Sequence, residues 1–396
     1  MVRGLGPGLV SGASANDPTT VGSIAVVGAA SGYAMSWLVV LLLPMLAVVQ
    51  AIAASVAAVS GLSLQQAIVK TYGRIPAAVS AAAIATVCIF TLGADIRAGA
   101  DALTLLVGLP SDYFVIPLVA VIGWMLATKS YLRIERLLAS FTLVFLCYVG
   151  AAIYAHPNWG AVLRSIVAPK IDFSRVYLTG TLALLGTTLT SYVYFWESIE
   201  VAERRPVRSE AGAFRADAVV GMLVAGSSFL FILVATAAMS GKTGVAIRTA
   251  ADAAAALRPL AGSWDTRLFG VGLLASSAIA IPIIAATNGY VVAQTLGQPA
   301  SLTLEPRAAR GFYGIIYGTL AVAAGLALLP LGTIWLLYWS SVAAGIAAPI
   351  TLALSLLVAR HSRTMRGTPI GLPLAAAGWG VTGLVTFAAL CFVFLK

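Results

Sequence analysis

Residues 6–33 read GPGLVSGASANDPTTVGSIAVVGAASGY, an apolar stretch long enough to cross a bilayer but interrupted by Asn16, Asp17 and Pro18. Proline carries no amide hydrogen and disfavours helix at the residue before it, so a helix running through this stretch breaks at Asp17. Unwound backbone at membrane depth persists where it lines a cavity that satisfies its carbonyls and amides. A carboxylate there costs at least about 2.5 kcal/mol, and acids that persist face a cavity or an ion rather than lipid. Asp17 therefore sits where carbonyl oxygens and a negative charge converge, a place that attracts cations.

The rest of the chain makes the same demand on its surroundings. Of 396 residues, 60% are hydrophobic and 10% charged, and the mean hydropathy of +0.97 is far above that of a soluble domain. The apolar runs are about the twenty residues that a helix needs to span the hydrocarbon core, without the alternation of a transmembrane barrel, so the chain is all-α and polytopic. The first run begins close to Met1 with only Arg3 before it and leads straight into the Asp17 segment, so no cleavable signal is expected. Cys88, Cys147 and Cys391 lie singly in apolar runs and read as small core residues, neither a disulfide framework nor a thiolate site.

Spans are expected near 5–30, 33–59, 75–107, 111–128, 131–154, 174–203, 212–239, 264–296, 308–329, 331–358 and 373–395. An odd number of spans puts the termini on opposite sides. A cytoplasmic N-terminus and an external C-terminus place fifteen Lys and Arg inside and eight outside, with Arg97 within the membrane, which satisfies the positive-inside rule. Topology thus accounts for most of the net charge of +10, and no nucleic-acid surface is needed. The longer outer loops are 155–173 and 240–263, the latter containing the amphipathic segment AADAAAALRPLAG. Neither is large enough to be a domain, so the chain is one membrane domain, 1–396.

A second interruption lies five spans after the first. Residues 178–205, LTGTLALLGTTLTSYVYFWESIEVAERR, hold Gly186, Thr187, Thr188, Thr190 and Ser191 in mid-span. Glycine and clustered hydroxyls loosen a helix. A kink or helix packing explains either interruption singly. Paired at this spacing, with a buried acid in register, they point to an inverted repeat with a site between the broken helices.

These residues resemble the Nramp family of divalent metal transporters, whose first span carries GPG, then DPGN, then a GY-x-x-x-W ending. Its second signature, GATVMPHNLYLHS, is similar to GTTLTSYVYFWES at 186–198. Further likeness lies in AVVQAIAASVAAVSGLSLQQAI (47–68), GADIRAGADALTLLVGLP (93–110) and SSVAAGIAAPITLALSLLVARH (340–361). The resemblance covers nearly the whole chain. It implies a LeuT-like fold of two inverted five-helix repeats, about 5–154 and 174–358, plus an extra helix at 373–395, with spans 1 and 6 broken. It also implies a transporter rather than an enzyme, set in a bacterial-type inner membrane. The transported divalent cation is then its substrate, with no cofactor, and the lipid bilayer its other partner; no protein partner is indicated.

The departures bear on the substrate. The aspartate is kept as Asp17, but the DPGN asparagine falls on Thr20, the metal-selecting methionine on Thr190, and the proline and histidine after it on Ser191 and Tyr192. The later histidine becomes Glu197 and the glutamine of span 10 becomes Ser341. One span 3 acid linked in the family to proton movement falls on Leu92, while the next is kept as Asp95. The expected metal ligands are Asp17, Thr20, Thr190 and Ser341, with backbone carbonyls near Ser14 and Thr187. An oxygen-only set suits hard cations, and Mg²⁺ keeps several waters while taking one or two carboxylates. The pattern is similar to the divergent Nramp-related branch associated with magnesium, with Mn²⁺ the next candidate.

The two histidines, His156 and His361, fall in expected loops and cannot form a transmembrane proton relay. With Tyr192 and Leu92 at the family's proton-handling positions, weak or absent proton coupling is expected. Glu197, Glu200 and Glu203 recur every three residues on the inner half of span 6 and either line an exit or, for Glu203 beside Arg204 and Arg205, form a solvated helix end. Arg97 and Asp101 are spaced for an internal ion pair, and Asp95 has a structural or a permeation role. Competing readings are a proton-coupled Mn²⁺/Fe²⁺ importer, a Na⁺-coupled small-molecule transporter and a non-transporting receptor. Asp17 would repel an anionic substrate, and no signalling domain accompanies the spans.

Overall fold

The computed structural model describes residues 15–128, 147–154, 156–204, 208–243, 252 and 265–394. Among them the chain is helical, and helix positions follow the apolar runs. The first elements are α1 (Pro18–Ser31), α2 (Ser36–Ser60), α3 (Leu64–Tyr72), α4 (Arg74–Val107), α5 (Asp112–Ala127), α6 (Cys147–Tyr154) and α7 (Trp159–Val167). Then come α8 (Arg175–Thr188), α9 (Ser191–Glu203), α10 (Ala211–Thr243), α11 (Asp265–Thr295), α12 (Arg310–Ala327), α13 (Thr333–Arg360) and α14 (Leu372–Phe394). Six of these, α2, α4, α10, α11, α13 and α14, are long and apolar enough to cross a membrane. From span 2 onward, span 5 apart, the ends agree with expectation to within about a turn. Of span 5 only α6 lies within the described residues, and the amphipathic segment at 250–262 lies outside them apart from Asp252.

A helix starts at the first expected interruption, and a span is split at the second. Helix α1 starts at Pro18 with Asp17 as its N-cap, and span 6 is split into α8 and α9 at Leu189 and Thr190. Proline at the first helical position costs nothing, because that amide has no intrahelical partner anyway. At the other break, Thr190 is extended (φ −65°, ψ 135°) and caps α9 without a side-chain hydrogen bond.

Two short helices went unrecognised in the sequence. Helix α3 is fixed by a capping box: Gln66 N donates to Ser63 Oγ (3.3 Å) and Ser63 N donates to Gln66 Oε1 (3.0 Å). Its signal was the spacing S-x-x-Q in SLQQ. Helix α7 begins where Ala161 N donates to Asn158 Oδ1 (3.0 Å). Helix α4 packs along α11 and α13, α10 packs along α2 and α1, and α8 packs along α13, so that α1, α4, α8 and α13 surround the two breaks. Cys88 and Cys391 are buried and unbridged, as expected of core residues. His361 ends α13, where its Nδ1 lies 2.9 Å from Thr364 Oγ1, and His156 lies in the loop after α6.

The Arg97–Asp101 pair forms, at 3.7 Å, but Arg97 has a shorter partner that the sequence spacing did not indicate, Asp112 at 2.6 Å. Asp101 also accepts a hydrogen bond from Thr333 Oγ1 at 2.5 Å.

Candidate metal site at the paired helix breaks

The start of α1 leaves amides free that a continuous helix would use internally, and two carboxylates take them. Thr20 N donates to Asp17 Oδ1 at 2.6 Å. Thr19 N and Thr19 Oγ1 both donate to Asp95 Oδ1 on α4, at 3.1 and 2.6 Å. Asp17 and Asp95 are 1% and 0% exposed, so neither is a surface acid turned inward by chance. Asp95 Oδ2 has no hydrogen-bond partner among the described residues.

The segment before Pro18 is held just as firmly. Asn16 Nδ2 donates to Ala225 O (3.3 Å), Ser228 Oγ to Asn16 Oδ1 (3.0 Å) and Ser276 Oγ to Asn16 O (2.5 Å), which ties the break to α10 and α11. Further along α1, Thr20 Oγ1 accepts from Thr187 Oγ1 (3.0 Å) and reaches Thr187 O (3.4 Å) on α8. Ser23 and Ser341 hydroxyls lie 2.7 Å apart, joining α1 to α13. From α9, Tyr192 Oη donates to Asp17 Oδ2.

One tightly closed cavity, with no room left for a water molecule between its walls, is lined by Asp17, Thr91, Thr187, Thr190, Tyr192 and Ser341, among others. The structure thus brings together Asp17, Thr187, Thr190, Tyr192 and Ser341, with Thr20 bonded to both Asp17 and Thr187. Ser14 lies outside the described residues. Glu197 is buried and Glu200 half-buried further along α9, and neither lines this cavity. Glu203 is exposed at the helix end and accepts a bond from Tyr290 Oη at 2.5 Å. Thr91, Thr19 and Ser23 escaped the sequence reading, since a lone hydroxyl in an apolar helix carries no mark of which neighbour it faces.

Among the described residues the cavity's side chains present oxygen alone as donor atoms: a carboxylate, a phenol and several hydroxyls, with no thioether or imidazole. The C-terminal end of α8 adds the partial negative charge of its last carbonyls. Thr190 Oγ1, 3% exposed as a residue, has no hydrogen-bond partner among the described residues. Such a set can ligate a hard cation through one carboxylate and neutral oxygens.

Comparison with known proteins agrees with this geometry. The divalent metal cation transporter MntH of Mycobacterium tuberculosis (strain CDC 1551 / Oshkosh) is 29% identical over 306 residues, 74% of this chain and 70% of that protein. Its namesake from Brucella suis biovar 1 (strain 1330) is 27% identical over 410 residues, 99% of this chain and 86% of the relative. The crystal structure of the Eremococcus coleocola manganese transporter with an aromatic bis-isothiourea substituted compound superposes with a TM-score of 0.74 at 18% identity. The match covers 97% of this chain and 85% of that one, which establishes the LeuT-like fold. The Nramp family model, described as natural resistance-associated macrophage protein-like, matches residues 8–395, and the chain belongs to that family.

Proposed function

We propose that this integral membrane protein carries a hard divalent cation, Mg²⁺ ahead of Mn²⁺, by alternating access around Asp17, with weak or no proton coupling. The observation that carries the reading is the buried Thr190 hydroxyl, unpartnered among the described residues, in an all-oxygen cavity with Asp17. A neutral oxygen left without a partner at this depth is costly unless something else supplies one, and a small cation admitted when the closed cavity opens supplies it. Asp17, Thr20, Thr190, Thr187 and Ser341 are the proposed ligands, with the carbonyl of Ser14. Tyr192, Glu197, Glu200 and Asp95 are the proposed permeation residues. No covalent chemistry is involved.

Leu92 at a proton-handling position and the two histidines in loops support uncoupled uptake. The driving force is then the membrane potential, about 4.6 kcal/mol per 100 mV for a divalent ion entering the cell. The proposed orientation has the N-terminus cytoplasmic and the C-terminus outside. The repeats run over about 5–154 and 174–358, with 373–395 added. The names of the relatives, a manganese transporter and divalent metal cation transporters, favour a second reading in which Mn²⁺ is the preferred cargo.

Uptake into proteoliposomes under an imposed potential, comparing Mg²⁺, Mn²⁺ and Ca²⁺ and following internal pH, separates these. Saturable Mg²⁺ flux abolished by Asp17→Ala is expected. No divalent flux, or flux indifferent to Asp17→Ala, refutes the function. Mn²⁺ preferred over Mg²⁺ selects the second reading, and acidification in step with flux refutes only the uncoupled part.

A further inference from the structure

The bond from Tyr192 to Asp17 has a consequence for which ions the site accepts. Tyr192 is fully buried at the first turn of α9, lines the same cavity as Thr190 and Ser341, and gives its phenol proton to Asp17 Oδ2. The other oxygen, Oδ1, takes the Thr20 amide at 2.6 Å. Each carboxylate oxygen has one strong donor already, and the two donors hold the carboxylate plane in a fixed orientation between α1 and α9.

Bidentate ligation requires both oxygens to turn toward one ion. A cation approaching Oδ2 would then crowd the phenol proton bonded to it. Ligation through Oδ1 alone leaves the Tyr192 bond intact. Small ions that demand octahedral geometry take single carboxylate oxygens and keep their waters, whereas Ca²⁺, with six to eight ligands at longer distance, gains from bidentate carboxylates. The remaining lining groups, hydroxyls of Thr91, Thr187, Thr190 and Ser341, are neutral one-oxygen ligands, and none of them replaces the second carboxylate oxygen of a bidentate site.

We propose that Tyr192 is a specificity-determining residue that restricts Asp17 to one-oxygen ligation and so excludes Ca²⁺ in favour of small octahedral ions. This rests on the divalent-cation reading of the same cavity. It assigns Tyr192 a role as a donor that stays in place, neither a ligand nor a plug that must leave.

The test is titration of the purified full chain in detergent with Mg²⁺, Mn²⁺ and Ca²⁺, for the wild type, Tyr192→Phe and Tyr192→Leu. Phenylalanine keeps the ring and removes the proton donor. The expected result is a Ca²⁺/Mg²⁺ affinity ratio that rises on the order of tenfold in both variants, the scale of one lost charge-assisted hydrogen bond. The ratio is read within one sample, so a reduced folded fraction does not alter it. An unchanged ratio with Mg²⁺ bound normally overturns the role of Tyr192 and leaves the transport reading standing. Equal tightening for all three ions overturns it too, since Tyr192 would then be a plain competitor, and general weakening would make it a ligand. A wild type that binds none of the three removes the divalent-cation reading and this one with it.

Discussion

Gly186→Ala tests whether the site depends on backbone-to-backbone approach of two helices. A Cβ at Gly186 would overlap the Ser341 carbonyl oxygen and the Gly345 amide nitrogen of α13, and would lie 2.8 Å from Gly345 Cα. In the other direction, a Cβ on Gly345 would come within 2.6 Å of the Leu182 carbonyl oxygen of α8. All of these obstacles are backbone atoms, so no rotamer change relieves them. Restoring ordinary contact requires α8 and α13 to separate by about 1 Å or more, and close-packed interiors absorb such a change poorly. Overpacking of this kind costs roughly 1–3 kcal/mol, which lowers the melting temperature by a few degrees. The functional loss is larger, because α8 carries Thr187 and α13 carries Ser341 on facing walls of the cavity, while metal–ligand distances tolerate only about 0.2 Å. The KM for the transported ion rises about tenfold or more. The assays are thermal unfolding in detergent with and without cation, and initial rates of proteoliposome uptake. Gly318→Ala on α12 is the control, since a Cβ there meets open space and alanine is the better helix former; it keeps wild-type stability and KM. A Gly186→Ala protein with wild-type melting temperature and KM refutes the close-approach argument.

Thr190→Met puts a soft thioether beside Asp17 and shifts preference toward softer ions, so that Cd²⁺ competes with Mg²⁺ at least about tenfold better; unchanged selectivity in competition uptake shows that Thr190 is not a ligand. Ser63→Ala removes the capping box of α3 and the bond from Ser63 Oγ to Gln294 Oε1 (2.7 Å). The loss of about 1 kcal/mol appears as faster amide exchange across Leu64–Tyr72, with transport selectivity unaffected; wild-type exchange rates there would show that the cap does not hold α3.

The spans were legible because a bilayer demands about twenty apolar residues in a row, and few other structures do. The breaks were legible because Pro18 and the Gly186–Ser191 cluster are the residues that interrupt a helix. Asp17 stood out because an acid in such a run has few uses. What the sequence withheld depends on helix phase and packing. Thr91 and Ser23 are ordinary hydroxyls until α4 and α1 are rotated into place. Thr19 gave no sign that it would bond Asp95, 76 residues away. The short helices α3 and α7 lack a span's length and are set instead by caps, and Asp112 reached Arg97 only because α5 folds back beside α4.

The position of the site at a helix start, rather than beside a continuous helix, follows from counting amides. The first residues of a helix have no intrahelical acceptor for their N–H groups. At α1, Pro18 has none to offer, Thr19 N goes to Asp95, Thr20 N goes to Asp17, and Val21 N makes the first internal bond, to Asp17 O at 3.1 Å. Both amides that α1 leaves free after Pro18 are therefore used to hold a carboxylate, and the helix dipole favours negative charge at that end. An unbroken helix would have spent the same amides on its own carbonyls and left Asp17 with the Tyr192 phenol and Asp95 with the Thr19 hydroxyl as their side-chain donors. The break thus places one carboxylate in the cavity and a second behind it, bonded to adjacent amides of one turn. A movement of α1 against α4 strains the Asp95 bonds to Thr19, and one against α9 strains the Asp17 bond to Tyr192, so the position of α1 is tied to both acids.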